Sequence, residues 1–148
     1  MADNIIFLDI DGVLNTKESW KIPFSLDKDC IKTFSSFINK CKKSPKIVLT
    51  SSWRTGFSSL PEYETPQLQS LRKELAVYNV SRTKDLGNRI AEINDYLQNH
   101  EVESYAVIDD DLAEYTREYL KKVSLINAGA GFTENDEKKI KWNKFTGH

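Results

Sequence analysis

The sequence predicts an α/β fold in which a mostly parallel central sheet lies between two layers of helices. Short apolar runs alternate along the chain with segments whose apolar residues recur at helical spacing, a pattern typical of strand–helix–strand units. The runs are apolar throughout, which indicates strands that are buried on both faces of the sheet. Three of the runs end in polar or acidic residues.

The strands are predicted from four apolar runs and one weaker signal. The runs are residues 5–8, 47–50, 105–108 and 123–126. Val77 and Val80 indicate a further short strand between the second and third runs. We expect the run at residues 123–126 to be the last strand.

Helices are predicted between these strands. The first begins at an N-cap, Asp27, and ends before Pro45. Its apolar face is residues 31, 34, 37 and 38, and two further faces are residues 68, 71 and 75 and residues 90, 93 and 97. Thr133 is placed to cap a closing helix.

Length and composition limit the classes of protein that this chain can be. With 148 residues we expect one domain, residues 1–148, large enough to bury its own core. The net charge of −1 excludes a general electrostatic attraction to nucleic acid or acidic lipid. No apolar run approaches the ~18 residues of a membrane span, and no signal peptide is recognisable. We therefore expect a cytoplasmic or otherwise soluble protein.

Polar residues directly follow three of the predicted strands. Asp9 and Asp11 follow the first, residues 50–54 (Thr-Ser-Ser-Trp-Arg) end the second, and residues 109–111, all aspartate, follow the third. The carboxyl ends of parallel strands share one edge of a sheet, where functional groups gather. Carboxylates placed so close repel one another, and a divalent cation is the usual way to offset this repulsion. Acids, hydroxyls and an arginine around one crevice suit phosphoryl transfer.

These segments resemble the motifs of the haloacid dehalogenase (HAD) superfamily of phosphatases. FLDIDGVLN (residues 7–15) is similar to its first motif, LTSSWR (residues 49–54) to its second, and AVIDD (residues 106–110) to its acidic fourth motif. Together with Arg-x-x-Glu-Ile at residues 89–93, the combination resembles the small HAD domains of RNA-repair proteins. The resemblance spans roughly residues 5–132 and implies a three-layer Rossmann-like fold.

The resemblance also implies roles for the acidic residues. Asp9 would be the nucleophile that takes the phosphoryl group, and Asp11 would be the general acid and base. Asp9, the main-chain carbonyl of Asp11 and Asp109 would hold Mg²⁺. Asp110 would be a further ligand of the metal or a contact of its ligands.

The second motif would supply the groups that bind the phosphate. Ser51 would hydrogen-bond the phosphoryl oxygens, although Thr50 and Ser52 lie within one residue of it and are alternatives. Ser52 and Arg54 would contact the substrate or its phosphate.

The third motif of the superfamily is a cation that precedes the acidic strand. Both Arg89 and Lys84 are available for this position. Arg89 is favoured because it belongs to the Arg-x-x-Glu-Ile pattern, and Lys84 remains the alternative.

The substrate class is predicted from the short loops. Many HAD enzymes that act on small metabolites carry a lid domain after the first or second strand, but here both intervals are short, so the chain is expected to be capless. An open site encloses a small molecule poorly, and its binding energy must come from a larger partner. We therefore expect a phosphorylated macromolecule, either a phosphoprotein, including phosphotyrosine, or a nucleic-acid end.

Two other functions remain open at this point. The chain could be a non-catalytic module that binds a phosphorylated partner, although intact Asp9 and Asp11 argue against lost activity. It could also be a phosphotransferase that passes the group from Asp9 to an acceptor other than water. The oligomeric state does not follow from the sequence.

Overall fold

The computed structural model describes residues 2–18, 25–50, 66–75 (except the side chain of Gln67) and 80–146. Within these ranges there are six strands and four α-helices. The strands are β1 (Asp3–Leu8), β2 (Lys46–Leu49), β3 (Val80–Arg82), β4 (Val102–Asp109), β5 (Val123–Leu125) and β6 (Asn143–Lys144). The helices are α1 (Lys28–Lys40), α2 (Pro66–Glu74), α3 (Arg89–Asn99) and α4 (Glu134–Glu137). No helix of this described part is both long and apolar enough to cross a membrane.

The strands form one sheet in the order β3-β2-β1-β4-β5, with all neighbours parallel. β1 therefore lies in the centre, between β2 and β4. The short β6 pairs antiparallel with the start of β4, at Ser104 and Tyr105, while β5 pairs with its end, at residues 107–109. The sheet is thus mostly parallel, as the sequence predicts.

Side chains of β1 alternate between two apolar cores, one on each face of the sheet. Ile6 and Leu8 belong to the core that contains the buried faces of α1 and α2. Ile5 and Phe7 belong to the other core, which contains the buried face of α3. Because both faces are covered, every apolar position of the strand is buried, and the run lacks the polar alternation of a half-exposed strand. The three-layer α/β fold class is confirmed.

The loops after β1 and β2 are short. Residues 9–27 separate β1 from α1, and residues 50–65 separate β2 from α2. An independently folded lid domain usually needs about 50 residues or more, so neither interval has room for one.

One strand was not expected from the sequence. β6 follows the segment at residues 123–126, so the prediction that this segment is the last strand was wrong. β6 has two residues, Asn143 and Lys144, neither of them apolar or β-branched. It forms because the main chain finds an unpaired stretch of β4 beside it, which no local pattern reveals.

Candidate active site

Residues that follow β1, β2 and β4 meet at the carboxyl edge of the sheet. The amide of Asp9 donates to the carbonyl of Ile108 in β4 at 3.0 Å, and the amide of Thr50 donates to the carbonyl of Leu8 in β1 at 3.2 Å. Main-chain pairing thus continues one residue beyond each of these strands. It places Asp9 between Thr50 and the end of β4, where Asp109 lies.

Three carboxylates form a compact cluster at this edge. One ligand oxygen from each of Asp9, Asp109 and Asp110 lies within 4.8 Å of the others. Asp9 and Asp109 are 7% and 1% exposed, so bulk water does little to screen their charges. Asp110 packs against the main chain at Gly12, where an added Cβ would lie 2.2 Å from its Oδ2 atom. The cluster therefore depends on a close approach that a glycine allows.

Negative charge on the clustered carboxylates is unfavourable, because they are buried and close to one another. Burial raises the pKa of Asp9 to about 10, and the neighbouring Asp109 and Asp110 add to this effect. Burial also raises the pKa of Asp109, despite the hydrogen bond that it accepts from Tyr115. A divalent cation with oxygen ligands would relieve both the repulsion and the lost hydration. The donor set therefore fits Mg²⁺, with Asp9, Asp109 and Asp110 as its carboxylates.

Arg89 is the first residue of α3 and extends into this edge. Asn88 caps the helix by accepting from the amide of Ala91. The Nη1 atom of Arg89 donates to Oδ2 of Asp109 at 2.7 Å and to Oγ1 of Thr50 at 3.4 Å. Burial alone would lower the pKa of Arg89, but the nearby acidic groups, with Asp109 the strongest of them, together outweigh it and the pKa is raised. The guanidinium stays charged in the site.

A buried glutamate forms an ion pair with Arg89. Glu92 is 2% exposed, and its Oε1 lies 3.8 Å from Nε of Arg89. Its other oxygen accepts from the amide of Leu86 at 2.9 Å. Glu92 therefore ties the loop before α3 to the arginine, which explains the spacing of the Arg-x-x-Glu pattern in physical terms.

Asp109 is oriented by three donors. Its Oδ2 accepts from the hydroxyl of Tyr115 at 2.6 Å as well as from Arg89, and its Oδ1 accepts from the amide of Asp111 at 3.0 Å. Tyr115 was not expected to have a role from the sequence. It follows a 3₁₀ turn (Leu112–Glu114), and nothing in its local pattern distinguishes it from a packing residue.

The cluster opens into a cavity of about 630 Å³. Lys17 and Arg89 line the cavity, and so do residues 126–128, which directly follow β5. Its aspartates are Asp9, Asp11, Asp109, Asp110 and Asp111. Lys17 also was not expected from the sequence. Its amide donates to the carbonyl of Ala128 at 2.9 Å, which joins the loop after β1 to the loop after β5.

The residues predicted for the site differ in whether they line the cavity. Asp9, Asp11, Asp109, Asp110 and Arg89 all line the cavity, whereas Lys84 is exposed and does not line it. Ser51, Ser52 and Arg54 lie outside the described residues. Thr50, the alternative to Ser51, is 1% exposed and contacts Arg89. The geometry thus favours Arg89 over Lys84 as the cation beside the acids.

Comparison with known proteins agrees with this arrangement. A family model described as "HAD domain in Swiss Army Knife RNA repair proteins" matches residues 5–136. No curated protein and no solved structure matches the chain. The family match supports phosphatase or hydrolase chemistry at the level of the superfamily, and the acid cluster is compatible with it. The match covers the carboxyl ends of β1, β2 and β4, and the chain belongs to the family of HAD domains found in these RNA repair proteins.

Proposed function

We propose that the chain is a Mg²⁺-dependent phosphate-monoester hydrolase that works through an aspartyl-phosphate intermediate. The observation that carries this proposal is that Asp9, Asp109 and Asp110 meet at the carboxyl edge of the sheet. Arg89 hydrogen-bonds Asp109, and Asp11 lines the same cavity. These are an attacking group, a cation site and a proton carrier in one place.

The metal site would be formed by the acid cluster. Asp9, Asp109 and Asp110 would hold Mg²⁺ together with the main-chain carbonyl of Asp11. When bound, the ion would neutralise phosphate oxygens and lower the repulsion between the substrate and the aspartates. Arg89 adds a fixed positive charge beside them.

The reaction would then have two displacements. In the first, a carboxylate oxygen of Asp9 attacks phosphorus, the ester P–O bond breaks, and Asp11 donates a proton to the leaving oxygen. In the second, Asp11 takes a proton from water, the water oxygen attacks phosphorus, and the bond to Asp9 breaks to release inorganic phosphate. Asp11 regains its proton, so atoms and charges balance over one turnover.

Hydroxyl and cationic groups around the acids would bind the phosphate. Thr50 lies at the end of β2 beside Arg89, and Ser51, Ser52 and Arg54 follow it in the sequence. We propose that a hydroxyl from residues 50–52 and the arginine at position 54 contact the phosphoryl group or substrate.

The substrate we propose is a phosphorylated macromolecule. Among the described residues the cavity is open to solvent, and the short intervals after β1 and β2 leave no room for a lid domain. The family description names RNA repair proteins, which favours a phosphorylated nucleic-acid end over a phosphoprotein. Comparing 3′- and 5′-phosphorylated oligonucleotides with phosphotyrosine peptides would separate the two substrate classes.

The first experiment is hydrolysis of para-nitrophenyl phosphate, with and without Mg²⁺, by the wild type and by Asp9→Asn. The control is Asp29→Asn, an exposed aspartate in the first turn of α1 that does not line the cavity. We expect turnover that needs Mg²⁺, is lost in Asp9→Asn and is kept in Asp29→Asn.

Other outcomes would overturn the proposal in specific ways. Mg²⁺ binding without turnover of any of these phosphate esters would indicate a binding module. Transfer of phosphate to added alcohols in preference to water would indicate a phosphotransferase.

A further inference from the structure

A buried amide lies directly behind the proposed general acid. Asn15 is 1% exposed and follows the apolar pair Val13 and Leu14 in the turn after β1. Burying an amide without hydrogen-bond partners is costly, so its contacts decide why an asparagine is present here. The mechanism proposed above does not use it.

The hydrogen bonds of Asn15 determine the orientation of its amide. Its Oδ1 accepts from the amide of Gly12 at 2.8 Å. Its Nδ2 donates to Oδ1 of Asp11 and to the carbonyl of Ser25, both at 2.9 Å. Rotating the amide by 180° would place oxygen against two acceptors and nitrogen against a donor. The nitrogen therefore faces Asp11.

We infer that Asn15 is a positioning residue that holds the carboxyl group of Asp11 in the orientation needed for proton transfer. This inference rests on the proposed function, in which Asp11 gives and takes the proton. Because Oδ1 of Asp11 accepts from an N–H group, the proton that moves is carried by Oδ2. The hydrogen bond from Asn15 to the carbonyl of Ser25 holds the amide of Asn15 in place. Ser25 lies two residues before Asp27, the N-cap of α1.

Asn15→Asp is the sharpest variant because it keeps the shape and the acceptor for Gly12. It replaces Nδ2 with an oxygen, so that Asp11 and the carbonyl of Ser25 both lose their donor and each faces an oxygen instead. Asn15→Ser removes the amide without adding a charge and serves if the first variant does not fold. A double variant, Asp11→Asn with Asn15→Asp, restores the hydrogen bond between positions 11 and 15 with donor and acceptor exchanged, although not the bond to Ser25.

The test separates the two displacements by pre-steady-state kinetics with para-nitrophenyl phosphate. Para-nitrophenolate is a good leaving group and needs little help from an acid, whereas hydrolysis of the aspartyl phosphate needs Asp11 to activate water. We expect Asn15→Asp to form para-nitrophenolate in its first turnover within about tenfold of the wild-type rate. We expect its later turnovers to slow by about 100-fold, a typical rate contribution of a positioned general acid or base.

Folding is read separately from chemistry. Where hydrolysis of the aspartyl phosphate is much slower than its formation, the burst amplitude reports the folded fraction. A purely structural role would lower that amplitude or slow both displacements alike. The double variant is expected to unfold as cooperatively as the wild type and to show a burst without later turnover. Equal slowing of both displacements in whichever single variant folds would overturn the inference. Absence of Mg²⁺-dependent turnover in the wild type, or its persistence in Asp9→Asn, would instead overturn the proposed function.

Discussion

Gly12→Ala tests whether the close approach of the main chain to Asp110 shapes the acid cluster. Gly12 has φ 84°, and Gly87, its matched control, has φ 76°. A Cβ at Gly12 would lie 2.2 Å from Oδ2 of Asp110 and 3.0 Å from Cβ of Ala128. A Cβ at Gly87 would meet no atom of the described chain within 4 Å. Both substitutions therefore carry the free-energy cost of a positive φ, and only Gly12→Ala adds a steric clash.

The magnitudes follow from these distances. An L-residue in the left-handed region costs about 1–2 kcal/mol, and the loss of glycine's freedom in the unfolded chain returns about 0.4–1 kcal/mol. Gly87→Ala should therefore lower the free energy of unfolding by about 1 kcal/mol. Gly12→Ala should lower it by about 1–3 kcal/mol more, the usual cost of overpacking. The carboxylate of Asp110 can rotate away, but this takes an oxygen out of the cluster.

Urea denaturation gives the free energies of unfolding, and calorimetric titration gives the affinity for Mg²⁺. We expect Gly12→Ala to weaken Mg²⁺ binding by about tenfold or more, equivalent to about 1.4 kcal/mol, and Gly87→Ala to bind like the wild type. Equal destabilisation by the two changes, together with unchanged Mg²⁺ affinity, would refute the argument that Gly12 shapes the cluster.

Three further outcomes are expected. Tyr115→Phe should lower the free energy of unfolding by about 1.5–3 kcal/mol, because it removes a hydrogen bond to the buried carboxylate of Asp109. Tyr119→Phe is its control, since the buried Tyr119 hydroxyl has no hydrogen-bond partner within the described ranges; equal losses in urea would contradict the role of Tyr115. Lys17→Ala should raise KM for a phosphate ester by about fivefold, about 1 kcal/mol, with the urea midpoint unchanged because Lys17 is exposed; an unchanged KM would remove Lys17 from substrate binding. Burial raises the pKa of Cys30 from 9.0 to about 11, so the folded state holds that proton more tightly and the free energy of unfolding should fall as the pH rises from about 9 to 11; urea curves for Cys30→Ala over this range should show a shallower decline.

The pattern of apolar residues in a sequence reflects which positions are buried. It therefore predicted the elements whose place in the fold is determined by burial. β1 and β4 lie in the centre of the sheet, and both were predicted from apolar runs. α1 begins after Asp27, whose side chain accepts from the amides of Asp29 and Cys30, as an N-cap does. Local chemistry at the start of this helix was therefore readable from a few residues.

Side-chain contacts that depend on the path of a loop could not be read in the same way. Tyr115 and Asn15 hydrogen-bond site aspartates that lie six and four residues away. Tyr115 follows a turn and Asn15 ends the first motif, but neither position reveals that its side chain reaches an aspartate. The choice between Arg89 and Lys84 depended on where α3 begins, because only its first residue reaches Asp109. The roles assigned to Ser51 and to the other residues of the second motif stay predictions.

The central position of β1 has a consequence for biosynthesis. Ile5–Leu8 pairs with Tyr105–Ile108 of β4, so its partner on that side is made about 100 residues later. At about 5–20 residues per second, a ribosome needs roughly 5–20 s to supply it. During that time an apolar strand has an open edge, which is the kind of surface that other chains can pair with. The same delay separates the synthesis of Asp9 from that of Asp109, so the acid cluster is among the last features of the nascent protein to form, and Mg²⁺ cannot assist folding through it before β4 is in place.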